Sequence, residues 1–243
     1  MLQVKYLIKC SYDGSKFYGF QRLNDLDTVQ KRLEEALSII NKEPVIVKGA
    51  GRTDKGVHAL SQGVSFSLNY DIEPSRLRNA INSLVRPYIN VIDVRVVDED
   101  FHARFSVLEK KYVYKINVGK FNIFDVDYIY QLNRELNVDK MREAATYLLG
   151  VHDFRNYVSG DRDKYVNQIS SIDFSMEEDI LTITFVGKSF YRYMVRNLVG
   201  VLIQVGLNKL DVNEVKDRLE NLDKEFTYYT APACGLYLFD IVY

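Results

Sequence analysis

The order in which hydrophobic periodicity changes along the first hundred residues constrains the fold more than any other feature of this chain. Residues 4–12 alternate apolar and polar side chains well enough for a strand. Asp27 or Thr28 then offers an N-cap to a helix in which Val29, Leu33, Leu37 and Ile40 recur at helical spacing. Val45-Ile46-Val47 predicts a short strand, and Val64 to Leu68, alternating with Ser65 and Ser67, a half-buried one. Pro74 opens a second helix through Leu77, Ala80, Ile81 and Leu84, ended by Pro87. Ile89 to Val97 is β-rich again. The order βαββαβ is that of a split βαβ unit, the ferredoxin-like or RRM-like arrangement.

The second half repeats this order loosely. Tyr112 to Val118 predicts a strand with Tyr112, Tyr114 and Ile116 on one face, and Val138 to Leu149 a helix. Strands at Ile169 to Met176 and Leu181 to Val186 meet at Glu177-Glu178-Asp179. A long helix from about Phe190 to Val205, a short one from Val212 to Leu222 and a terminal strand from Gly235 to Tyr243 follow. The expected class is α+β, with two ferredoxin-like halves, largely antiparallel sheets and helices on the outer faces. The acidic Asp98-Glu99-Asp100 turn sets the expected boundary between residues 1–100 and 101–243, and no low-complexity linker separates them.

Two stretches carry unbalanced positive charge. Residues 101–120 hold Arg104, Lys110, Lys111, Lys115 and Lys120 against Glu109, and residues 181–210 hold Lys188, Arg192, Arg196 and Lys209 with no acid. The net charge is only −1, but nucleic-acid affinity depends on where cations sit rather than on their sum. From charge alone these stretches read as a solvated basic face or as the lining of a central basic cleft between the halves. No run approaches the roughly 18 apolar residues of a membrane span, and the lysine-broken start lacks a signal-peptide core. Cys10 and Cys234 are too few and too distant for a disulfide framework, which fits a reducing cytoplasm. His58, His102 and His152 are scattered without metal-ligand spacing, so structural histidines and no metal are expected.

The densest chemistry lies in Gly51-Arg52-Thr53-Asp54-Lys55-Gly56-Val57-His58-Ala59. Two glycines around Asp54 predict a tight loop presenting the carboxylate, and Arg52 and Lys55 favour its ionised form. Such a carboxylate caps backbone N–H groups in most turns, and in a shaped cleft it acts as a nucleophile or base. Phosphate-loop chemistry is excluded. Asp54 stands where the dinucleotide fingerprint needs its third glycine, and Val57 and His58 stand where a P-loop needs Lys and Ser/Thr.

The same nonapeptide resembles the signature of the tRNA pseudouridine synthase A family, with Lys55 where that family often has Ala. The resemblance continues in order through Tyr12-Asp13-Gly14, Tyr18-Gly19-Phe20-Gln21 (Phe20 in place of the usual Trp) and Phe101-His102-Ala103-Arg104-Phe105-Ser106 with Lys111-Tyr112-Val113-Tyr114. It extends through Leu149-Gly150-Val151-His152-Asp153-Phe154, Phe190 to Gly200, Ala231-Pro232 and Gly235 to Leu238. It implies isomerisation of uridine to pseudouridine in the tRNA anticodon stem-loop, at positions thirty-eight to forty, without cofactor or metal. The target base must leave the stack, which costs a few kcal/mol.

The family pattern implies that Asp54 is the catalytic nucleophile, that Tyr112 stacks on the flipped base and that Arg196 pairs with Asp54. It also implies a homodimer spanned by one tRNA. Arg52, in the same loop, suits the space the base vacates, since a planar guanidinium stacks and hydrogen-bonds at once. Arg192 is expected one turn before Arg196, reaching phosphate, while Thr53 and His58 fix the loop. Two other readings keep the fold: a paralogue with a different RNA target, and a non-catalytic RNA-binding module. A retaining hydrolase would need a second acid that the loop does not supply.

Overall fold

The computed structural model describes residues 3–222, 224, 226–227 and 229–243. The chain divides into two compact units, Met1–Leu108 with Tyr237–Tyr243, and Glu109–Leu236.

In the first unit β1 (Val4–Tyr12) is followed by α1 (Val29–Asn41), β2 (Lys48–Gly49), β3 (His58–Leu68), α2 (Pro74–Val85) and β4 (Ile89–Val96). β1 lies between β3 and β4 and is antiparallel to both, with Ile8 opposite Val64 and Val94. β2 is antiparallel to β3 on its other side. Tyr6, Ile8, Val64, Phe66 and Leu68 form the buried part of the sheet, and Val29, Leu33 and Leu37 of α1 and Leu77 and Ile81 of α2 complete the core. Thr28 is the N-cap of α1, its hydroxyl accepting the Lys31 N–H. At α2 the cap is Glu73, whose carboxylate accepts the Ser75 hydroxyl and the Ser75 and Arg76 N–H groups; the hydroxyl first, then the N–H groups, lower its pKa to about 2. Asn82 ties α2 to β4 by exchanging both amide groups with the backbone of Val91, at 2.9 and 2.7 Å.

Several details differ from the sequence expectation: β3 begins at His58 rather than Val64, and Ser65 on it is buried, so the strand is not half-buried. Val45-Ile46-Val47 is not a strand; the Val45 N–H goes to Ser38 Oγ and the Val47 N–H to Glu34 Oε1, so α1 side chains take the donors a ladder would need. Leu84 is exposed, because the buried stripe of α2 runs through Leu77, Ile81 and Val85 instead.

The second unit begins with β5 (Glu109–Asn117) and β6 (Tyr130–Gln131), followed by α3 (Val138–Thr146), β7 (Gly150–Asp153) and β8 (Val166–Ile169). It continues with β9 (Ser171–Glu177), β10 (Ile180–Gly187), α4 (Met194–Gly206) and α5 (Asn213–Glu220). β10 is antiparallel to β5 and β9, with Phe185 opposite Tyr112 and Ile172, and β6 runs parallel beside β5. β7 and β8 form a separate antiparallel pair, too short at four residues each to show a period in sequence. α4 buries Leu198, Val201, Leu202 and Val205 and packs on α3. It starts at Met194 rather than near Phe190, because Tyr193 takes a left-handed conformation at φ +61°. Arg192 thus precedes the helix and is not one turn before Arg196 on its face.

The chain returns to the first unit at Tyr237 in β11 (Leu236–Val242), which pairs parallel with β3, Tyr237 opposite His58. The class is α+β, with five α-helices among the described residues and mostly antiparallel pairing. Among those residues no helix is long and apolar enough to cross a membrane.

Candidate active site

Asp54 lies half-buried in the connection between β2 and β3, and Arg52, in the same loop, is exposed. The Val57 N–H donates to Asp54 O at 3.1 Å, closing a turn whose third residue, Gly56, has φ +82°. That conformation explains the second glycine of the motif. Behind the turn the polar groups are buried and paired. Tyr12 Oη and Thr53 Oγ1 share a hydrogen bond of 2.8 Å, and the Phe20 N–H donates to Thr53 O at 3.1 Å. Gly19 stands at φ +94° against this backbone, and a Cβ there would lie 2.8 Å from Thr53 O. Lys55 Nζ sits 4.1 Å above the Tyr18 ring. The Tyr12-Asp13-Gly14 and Tyr18-Gly19-Phe20 segments are therefore supports of the Asp54 loop, which explains their presence in one motif set.

His58 is almost fully buried and stacks on Tyr237 at 4.7 Å. The Gly14 N–H donates to its Nδ1 at 3.1 Å, so the lone pair is on Nδ1. His102 Nδ1 likewise accepts the Arg104 N–H, and His152 Nε2 lies 2.7 Å from Leu149 O. Each histidine thus has a backbone partner. Burial, then the charges of Lys5, Lys48 and Arg104, hold the His102 pKa below its usual value. The His102 ring tilts against exposed Phe105 at 4.4 Å. Among the described residues no three His, Cys, Asp or Glu side chains gather closely enough to hold a metal ion.

Tyr112 and Arg196 belong to the second unit. Tyr112 is mounted in the middle of β5, largely buried, with its ring edge-on to Phe190 at 5.2 Å. Two residues on, Tyr114 is a core residue whose hydroxyl donates to Pro232 O at 2.7 Å and whose burial pushes its pKa well up. Arg196 lies in the first turn of α4. Its Nε donates to Ala231 O at 2.7 Å while the Ala231 N–H donates to Arg196 O at 3.0 Å, a reciprocal pair that fixes the side chain's base. Its guanidinium and that of Arg192 both lie about the Tyr193 ring, at 5.1 and 5.0 Å from the centroid. Arg162 stacks over Tyr191 at 4.3 Å, and Arg155, held by Asp153, lies over Tyr165 at 5.4 Å. Stacked guanidiniums interleaved with tyrosines make a cationic, aromatic surface of the kind single-stranded nucleic acid uses.

Sequence reasoning alone does not single out Gln62 as a loop support. Its only signal is a glutamine in the register of Val64, Phe66 and Leu68 on one strand face. Its amide donates to Gly51 O at 2.8 Å and accepts the Gly51 N–H at 3.3 Å.

Comparison with known proteins gives this arrangement a family. A model described as tRNA pseudouridine synthase matches residues 9–106 and 144–243. The chain is 37% identical over 237 residues to tRNA pseudouridine synthase A of Mycoplasmoides gallisepticum, covering 98% of this chain and 90% of that protein. It belongs to the tRNA pseudouridine synthase A family. Similar relatives include the tRNA pseudouridine synthase A of Mycoplasma genitalium, 37% identical with 98% of each chain covered. That of Bacillus subtilis is 38% identical, covering 97% of this chain and 98% of the relative. As a pseudouridine synthase the protein is an RNA-modifying isomerase, and every loop support described above falls within the span matched to the family.

Proposed function

We propose that this pseudouridine synthase acts on tRNA, converting uridines of the anticodon stem-loop at positions thirty-eight to forty with Asp54 as nucleophile. The observation that carries the reading is the Asp54 loop, a half-buried residue on a closed turn that follows a segment tied down at Gly51 and Thr53. Preorganisation of this kind suits a nucleophile better than a capping role, since the loop that presents the carboxylate is denied freedom. Tyr112 is the stacking residue for the flipped base, contributing about 1–3 kcal/mol. Arg52 fills the vacated space, and Arg196 binds the substrate. The two halves are ferredoxin-like and present a basic cleft to the RNA, the first carrying the nucleophile and the second the stacking tyrosine and the arginine helix. The Arg–Tyr interleaving around Tyr191 and Tyr193 supports an RNA partner. The enzyme works in the cytoplasm as a homodimer and without cofactor or metal, since the bonds broken and formed both lie within the substrate.

Mapping pseudouridine in tRNA incubated with purified protein tests this. Wild type should modify the anticodon arm in the presence of a chelator, and Asp54→Asn should yield no product while still binding tRNA. Turnover by Asp54→Asn within about tenfold of wild type would overturn the nucleophile assignment. Modification confined to another RNA would overturn the substrate, and a fully active monomer in sedimentation the dimer.

A further inference from the structure

Contacts inside the first unit hold the loop that presents Asp54. Gln62 is fully buried and meets both backbone groups of Gly51, donating from Nε2 to the carbonyl and accepting the N–H on Oε1. This pairing fixes the amide orientation, because a flipped amide would face donor with donor and acceptor with acceptor. The same Nε2 donates to Tyr12 Oη at 3.4 Å, and Tyr12 Oη shares the 2.8 Å hydrogen bond with Thr53 Oγ1. On the other flank the Phe20 N–H holds Thr53 O, and Gly19 admits the loop so closely that a Cβ would stand 3.3 Å from the Asp54 carbonyl carbon. The residues on both sides of Arg52 are thus tied to β1 and β3 through two side chains that themselves scarcely reach solvent.

We propose that Gln62 and Tyr12 are positioning residues for the reaction: a buried relay that fixes Gly51 and Thr53, and through them the direction of the Asp54 carboxylate. The inference rests on Asp54 being the nucleophile and adds how it is aimed. A hydrogen-bonded network with its members paired is stiff, and a loop released from it drifts. Misplacing a reacting group by about 1 Å costs on the order of 100-fold in rate. Because neither side chain is exposed, the effect falls on the chemical step and not on RNA affinity.

The test uses Tyr12→Phe, Gln62→Met and Gln62→Glu in the full-length protein, beside Asp54→Asn. Single-turnover rates on tRNA should fall about 10- to 100-fold in Tyr12→Phe and Gln62→Met, with the tRNA dissociation constant within about twofold of wild type. Gln62→Glu adds a readout that packing alone does not give. Its protonated carboxyl can still donate to Gly51 O, whereas the carboxylate would face that carbonyl and repel it. The ratio of its rate to wild type should therefore rise as pH falls. Amide hydrogen exchange should quicken in residues 51–56 and stay unchanged in the rest of β1 and β3. Rates of Tyr12→Phe and Gln62→Met within twofold of wild type would overturn the inference, as would exchange that quickens uniformly across the sheet. If Asp54→Asn stays active, the nucleophile reading fails instead. The exchange pattern then still decides whether the relay holds the loop.

Discussion

Gly19 meets the Asp54 loop without a side chain, at φ +94°, with Thr53 O, Lys55 N and the Asp54 carbonyl carbon all within 3.3 Å of where a Cβ would stand. Alanine there would combine a disfavoured backbone conformation with an overpacked contact against backbone atoms that cannot swing away. Gly19→Ala should cost about 1–3 kcal/mol of stability. Its activity should drop further than the folded fraction explains, checked by thermal unfolding beside single-turnover kinetics. Equal losses in the two would make Gly19 a folding residue alone. The residue scale also separates two cysteines. Burial pushes the Cys10 thiol up to about 12, and raises that of half-buried Cys234 less far. The thiolate is the reactive form, so at mildly alkaline pH the native protein should react with a thiol reagent at Cys234 before Cys10. Cys10 should label only on unfolding, which mass spectrometry of partly labelled protein checks.

Among the elements, α4 shows why a motif contains small residues where no chemistry occurs. A Cβ on Gly200 would overlap Tyr229 O, so the 229–231 segment lies directly on the helix at this point. That segment supplies Ala231 O to Arg196 Nε, and Thr230 Oγ1 donates to buried Asn197 Oδ1 at 2.7 Å. Gly200 therefore sets the distance at which Arg196 finds its anchor. Gly200→Ala should push the segment off the helix and cost about 1–3 kcal/mol or more, despite alanine's better helix propensity. Its activity should fall with it. Denaturant unfolding of Gly200→Ala decides this: a gain in stability, as propensity alone predicts, would contradict the close approach.

For the whole molecule, the formal charge of −1 conceals a segregated distribution. Arg162 and Arg192 are stacked on Tyr191 and Tyr193, the first half-buried and the second exposed. If they contact RNA phosphates, tRNA affinity should weaken with salt, and replacing both by alanine should lower the slope of log affinity against log salt by about one per arginine. Affinity measured across a salt series checks this. A slope unchanged in the double variant would remove this surface from the RNA path.

Much of the local structure was legible in the sequence because burial leaves a period. β1 and the buried stripe of α1 follow the alternation and the helical spacing of their residues, and Thr28, Pro74 and the glycines around Asp54 mark their ends and turns. The nonapeptide and its companion motifs also carried the family. What the period cannot record is which distant group satisfies a given donor. The N–H groups of Val45 and Val47 went to Ser38 and Glu34 of a helix, so a run of β-branched residues formed no ladder. Tyr193 left the helical conformation although its neighbours have helical spacing, and so Arg192 lies outside α4. Gln62 reads as a lone polar residue in a strand until Gly51 and Tyr12 meet its amide. Local side-chain pattern fixes which face is buried. Partners far apart in the chain are chosen only when the fold closes and every buried polar group must find one.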